Sequence, residues 1–130
     1  MGLIDSTIIK DNKMEVGNIT LEFDAEIYNE LVNHYKINEG KEIKVCLLGE
    51  QNETHILIND LFYPKISSQS YNHVTSKICP KKTIISLHSQ PNRQCLPSDQ
   101  DIESLKYLKQ YNENVLVAIM CEEKRFNFYS

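Results

Sequence analysis

The sequence predicts an α/β domain, a mixed β-sheet with helices packed on it. Three observations carry that expectation. Short segments that alternate apolar and polar residues, or run apolar, recur at 19–23, 43–48, 54–61, 83–87, 115–120 and 125–129. Two stretches with helical spacing interrupt them, one after Asp24 and one after Ser98. The resulting order is strand, helix, two or more strands, helix, two strands, which suits a mixed sheet. A length of 130 residues suits one domain spanning 1–130, with a core at about 19–129.

The elements follow in order. Ile19-Thr20-Leu21-Glu22-Phe23 alternates and reads as a strand. Asp24 caps a helix whose Ile27, Tyr28, Leu31, Val32 and Tyr35 share one face, and Asn38-Glu39-Gly40 ends it. Ile43 to Leu48 is a mostly apolar strand that Gly49 is expected to stop. Thr54 to Leu61 is expected to pair with it through the polar turn Glu50-Gln51-Asn52-Glu53. Residues 63–80 are polar, with an irregular strand expected around 71–76. Thr83 to Leu87 is the strand that delivers His88. Pro91 breaks it, and residues 92–97 form a loop. Ser98 and Asp101 make a capping-box-like start for a helix through Ile102, Leu105, Leu108 and Tyr111. Val115 to Met120 reads as a buried strand and Arg125 to Tyr129 as a final edge strand.

Composition narrows the function classes. Hydrophobic residues are 41% and charged residues 25%, ordinary for a globular protein. A net charge of −4 argues against a general nucleic-acid binder. No apolar run approaches the roughly 20 residues of a membrane span. The first residues lack the basic and apolar regions of a signal peptide, so a cytoplasmic protein is expected. Cys46, Cys79, Cys95 and Cys121 are widely spaced and form no CxxC pair. That excludes a zinc ribbon and a disulfide-dense secreted scaffold. Cys46 reads as a small core residue, and a Cys95–Cys121 bridge is an open alternative to two free thiols.

The residues suited to chemistry are His88-Ser89-Gln90-Pro91 and Ser98-Asp99-Gln100-Asp101. His88 and residue 90 point the same way if the strand runs one step further. Asp101 lies just inside the following helix. A strand end and a helix start can thereby surround one cation, with a position left open for water. Each residue also has a plain reading. Ser98 and Asp101 cap a helix in any protein, Glu42 is one solvated carboxylate among many, and a lone histidine is more often structural. His34, His55 and His73 are further histidines. Of these His73 is the first candidate to complete the site.

This run resembles the JAMM metalloproteases, the JAB/MPN+ domain, whose motif is an upstream Glu, His-x-His-Pro and Ser-x-x-Asp. The match covers roughly residues 19–129 and looks like the compact prokaryotic and archaeal members. Glu42 precedes Gly49 by the spacing of the family's Glu. The resemblance implies a JAMM/MPN, cytidine deaminase-like fold and a Zn2+ cofactor held by His88, residue 90 and Asp101. It implies Glu42 as general base and Ser98 as the hydroxyl that stabilises the oxyanion. Its substrates imply cleavage of peptide or isopeptide bonds after ubiquitin-like modifier proteins, acting on those modifiers or their conjugates. A deaminase is not favoured, because the Pro-Cys-x-x-Cys of such zinc sites is absent.

The departure is Gln90, where the family has its second histidine. An amide oxygen is a poor zinc donor beside imidazole. Three readings stay open: a weak third ligand, a catalytically dead MPN-type scaffold that binds a ubiquitin-like or other protein, or an introduced replacement that traps an inactive enzyme.

Overall fold

A computed structural model describes residues 1–64, 79–89 and 95–130. Among these the elements are β1 (Leu3–Ile8), β2 (Lys13–Val16), β3 (Ile19–Phe23), α1 (Ala25–Ile37), β4 (Ile43–Gln51), β5 (His55–Phe62), β6 (Ile85–Ser89), α2 (Asp99–Lys109), β7 (Leu116–Glu122) and β8 (Arg125–Tyr129). They make one sheet in the order β1-β8-β7-β6-β4-β5-β3-β2. The pairs β3–β5 and β6–β7 are parallel and the others antiparallel, so the sheet is mixed as expected.

The pleat divides the central strands into two faces. Ile43, Val45, Leu47, Ile85, Leu87, Leu116, Ala118 and Met120 pack on one face with Leu31 of α1, and Ile27, Tyr28 and Tyr35 lie against them. Cys46, Val117 and Ile119 alternate with these and pack with Leu105 and Leu108 of α2. The helix-start chemistry is as read from sequence. Asp24 accepts from the Glu26 N–H at 3.1 Å, and Ser98 and Asp101 form a reciprocal capping box.

Three expectations are corrected. The first concerns the N-terminal residues, which form two strands outside the expected core; β2, Lys13-Met14-Glu15-Val16, does alternate, with Met14 and Val16 buried. In β1 Leu3, Ile4 and Ile8 are exposed, so no buried face imposes an alternation, and the strand is recruited by the ladder of β8. Asp11 and Asn12, both at positive φ, make the tight turn between Lys10 and Lys13, a conformation that Asp and Asn tolerate. That turn joins the two outermost strands of the sheet. The Gly17 N–H also donates to Asp5 Oδ2 at 3.0 Å, so the sheet curls until its margins approach.

The second correction follows from the first: β8 is not an edge, because β1 lies outside it. Third, Gly49 does not end β4. The strand continues to Gln51 through a register shift between Leu48 and Gly49. A Cβ at Gly49 would fall 1.8 Å from the Leu57 carbonyl oxygen, so glycine here permits a close backbone approach within the ladder. The irregular strand expected around 71–76, His73 and Gln90 lie outside the described residues.

Candidate active site

Three elements bring the expected residues together. Glu42 immediately precedes β4, His88 lies near the end of β6, and Asp101 is in the first turn of α2. The antiparallel register sets Lys44 opposite His88, so these two side chains share the sheet face under α2. Glu42, two residues before Lys44, is carried toward the same face.

The imidazole of His88 is 2% exposed and lies between two carboxylates. Its Nδ1 is 2.8 Å from Asp101 Oδ2 and its Nε2 is 3.1 Å from Glu42 Oε1. The first contact is a hydrogen bond. The second is close but poorly aligned, which leaves Nε2 buried without a hydrogen-bond partner among the described residues. Glu42 itself is half-exposed.

Asp101 takes its hydrogen bonds at one oxygen. Its Oδ2 also accepts from the Ser98 N–H at 2.7 Å and the Ser98 hydroxyl at 3.0 Å. The Lys44 ammonium stands 3.9 Å from its other oxygen, Oδ1. Burial pushes the Asp101 carboxyl up. The His88 hydrogen bond and charge, the Ser98 N–H and Lys44 outweigh it, and the net shift is downward from the ordinary carboxylate value. The Ser98 hydroxyl is thereby engaged at the helix start, where it also accepts from the Asp101 N–H at 3.3 Å.

The other described histidines stay apart from this group. His34 packs on Tyr63 with ring centroids 4.6 Å apart, and His55 contacts the Thr54 hydroxyl on exposed surface. Lys44 is the residue that motif reading missed. Its signal was present in the sequence, as the single charge inside the apolar run 43–48, two residues after Glu42.

The cysteines frame the site. Cys95 and Cys121 are disulfide-bonded, the bridge that the sequence left open. The Cys95 carbonyl also accepts from the Tyr129 hydroxyl at 2.7 Å and from Asn127 Nδ2 at 3.3 Å, so the chain entering α2 is tied to β7 and β8. Cys46 is a core residue, as expected, but it is also bonded to Cys79. A buried strand cysteine gives no sign of its partner until the fold brings one near. Such bonds are uncommon in a reducing cytosol, so the cysteine pairing lends no support to the cytoplasmic expectation. No helix among the described residues is long and apolar enough to cross a membrane.

A JAB1/MPN domain protein from Archaeoglobus fulgidus, solved by crystallography, is similar in structure. The TM-score is 0.53 at 15% sequence identity, over 83% of this chain and 87% of that one. The fold is that of the JAB1/MPN domain. At this identity the likeness speaks for the fold alone. No protein-family model matches the chain, and no curated protein matches it.

With an MPN fold in hand, the residues can be tested against the zinc that the JAMM resemblance implies. The Nε2 atom of His88 fits a divalent cation, being buried and lacking an aligned partner. Among the described residues no group of three or more His, Cys, Asp or Glu side chains could hold a metal ion, so a site here would also need residue 90, which lies outside them. Asp101 fits the role of holding the far nitrogen of a metal-binding histidine better than that of a ligand.

Proposed function

We propose that this MPN domain is a JAMM-type zinc hydrolase that cleaves peptide or isopeptide bonds after the C-terminal tails of ubiquitin-like proteins, with zinc held weakly because of Gln90. The observation that carries the reading is His88, fixed by Asp101 at Nδ1 and presenting an unpartnered Nε2 toward Glu42.

His88 and Gln90 would hold the metal, and Asp101 would reach it through Oδ1, the oxygen that faces Lys44 at 3.9 Å rather than the three donors. Zinc supplies Lewis acidity, polarising the scissile carbonyl and lowering the pKa of a water to about 7. The remaining work belongs to the chain. Asp101 accepts from Nδ1–H and so fixes the tautomer that leaves the Nε2 lone pair outward. Glu42, half-exposed at the mouth of the site, takes the proton of the attacking water and passes it to the leaving amine. The Ser98 hydroxyl would stabilise the developing oxyanion only by releasing Asp101.

A second reading is a non-catalytic MPN scaffold that binds a ubiquitin-like or other protein tail along the sheet. The observation that favours it is the capping box, which accounts for both Ser98 and Asp101 without catalysis.

The test is zinc content by elemental analysis after dialysis, beside cleavage of a ubiquitin-like protein fused to a short peptide. The comparison is between this chain and Gln90→His. The expected result is near-stoichiometric zinc and faster cleavage in Gln90→His. Adding Glu42→Gln should keep the zinc and lower turnover by about 10²–10⁴-fold. If Gln90→His neither gains zinc nor cleaves, the hydrolase reading fails and the scaffold stands.

A further inference from the structure

The least expected residue of the site is Lys44. A lysine in a strand usually reaches solvent with its head group. Here it is 8% exposed, because the register sets it opposite His88 on the face covered by α2. Its ammonium donates to the Ser104 hydroxyl at 3.4 Å and lies 3.9 Å from Asp101 Oδ1. Asp101 and Ser104 are three residues apart on α2, so both lie on the helix face that covers the strand.

The two oxygens of Asp101 therefore have separate duties. Oδ2 takes the Ser98 N–H, the Ser98 hydroxyl and His88 Nδ1, while Oδ1 faces Lys44. A carboxylate buried this deeply needs a positive partner. At a metal centre of the kind proposed above, the ion would be that partner. Here the chain carries its own.

We propose that Lys44 is a positioning residue, the built-in counter-cation that keeps Asp101 directed at His88 Nδ1, so that the site is assembled before and without any metal. The proposal rests on the hydrolase reading only for the importance of Nε2; the assembly itself does not depend on catalysis. It also implies that Lys44 and a metal compete for Asp101. Replacing Lys44 with an uncharged residue should make Asp101 available as a ligand.

The experiment uses 15N NMR of the histidine rings in the full chain stripped of metal, with cobalt(II) as the metal probe. In the unaltered protein the His88 ring should show a protonated Nδ1, and chelator should not abolish that signal. In Lys44→Met the tautomer signal should be lost or averaged. Cobalt affinity should rise at least about tenfold, and the melting temperature should become more metal-dependent. Lys44→Arg, which keeps the charge, should restore the original ring signal, an outcome that mere packing of the side chain would not produce.

Loss of the Nδ1–H signal from the unaltered protein on metal removal would overturn the proposal. So would Lys44→Met with an unchanged ring signal and unchanged cobalt affinity. If Lys44→Met does not fold, the unaltered protein with and without chelator, together with Lys44→Arg, decides the matter. An intact ring signal in a chain whose Gln90→His form neither binds zinc nor cleaves would sink the hydrolase reading and leave the role of Lys44 standing.

Discussion

The two faces of the β4–β6 pair are built from alternate residues of the same strands, yet they obey different rules. On the α1 face Ile43, Val45, Leu47, Ile85 and Leu87 are hydrocarbon and nearly fully buried. On the α2 face Lys44 and His88 stand opposite each other, with Glu42 beyond them and Asp101 descending from the helix. The apolar face is stabilised by burial, which has no direction and tolerates exchange of similar shapes. The polar face is stable only while every charge has its partner, so it is rigid in identity and sensitive to single changes. A pleated strand puts both regimes one residue apart.

The largest effect should come from the polar face. Asp101→Ala removes the carboxylate beside the buried Lys44 ammonium and half of the capping box. It should cost about 3–5 kcal/mol in denaturant unfolding, the range for breaking one side of a buried pair. Adding Lys44→Met should recover part of that loss. A purely additive double mutant would mean the two residues are not coupled.

Leu87→Ala on the other face should cost about 2–5 kcal/mol through the cavity it leaves, while the His88 ring signal stays as it was. A changed ring signal there would show that the faces are not independent.

The pH response separates the faces further. The Asp101 pKa is lower folded than unfolded. The stability it contributes is present above the unfolded carboxylate value of about 3.9 and is lost as pH falls through the folded value, because the unfolded chain takes up the proton first. Thermal melts should therefore fall more steeply below about pH 4 for the unaltered chain than for Asp101→Ala. Leu87→Ala should keep the full acid slope.

The smallest change is Ser98→Ala. It removes a helix-capping hydroxyl and one of the three donors to Asp101 Oδ2, and should cost about 1 kcal/mol. A loss several times larger would mean that the hydroxyl supports the Asp101–His88 contact as well as the helix start.

Much of this was legible beforehand because the relevant forces are local. Alternation marked β3, β5 and β8, and short apolar runs marked β4, β6 and β7, which are buried on both faces. A cap at Ser98 fixed where Asp101 sits, and the end of an apolar run fixed where His88 sits, so their meeting near one point was foreseeable. β1 was not. β1 has no buried apolar face of its own and exists because β8 offers an unpaired ladder. Gly49 looked like a stop because a glycine after an apolar run usually is one. Only the 1.8 Å approach to Leu57 reveals it as a bulge within a continuing strand.

The sequence by itself determined the strand and helix periodicity, the capping box and the residue types available to the site, because these depend on neighbours a few positions away. Tertiary structure alone decided that Cys46 meets Cys79, that β1 covers β8, and that Lys44 rather than solvent faces Asp101 Oδ1. Those choices bring together residues tens of positions apart in the chain. Their free energy comes from desolvation and pairing in a shared interior, and no local pattern records it.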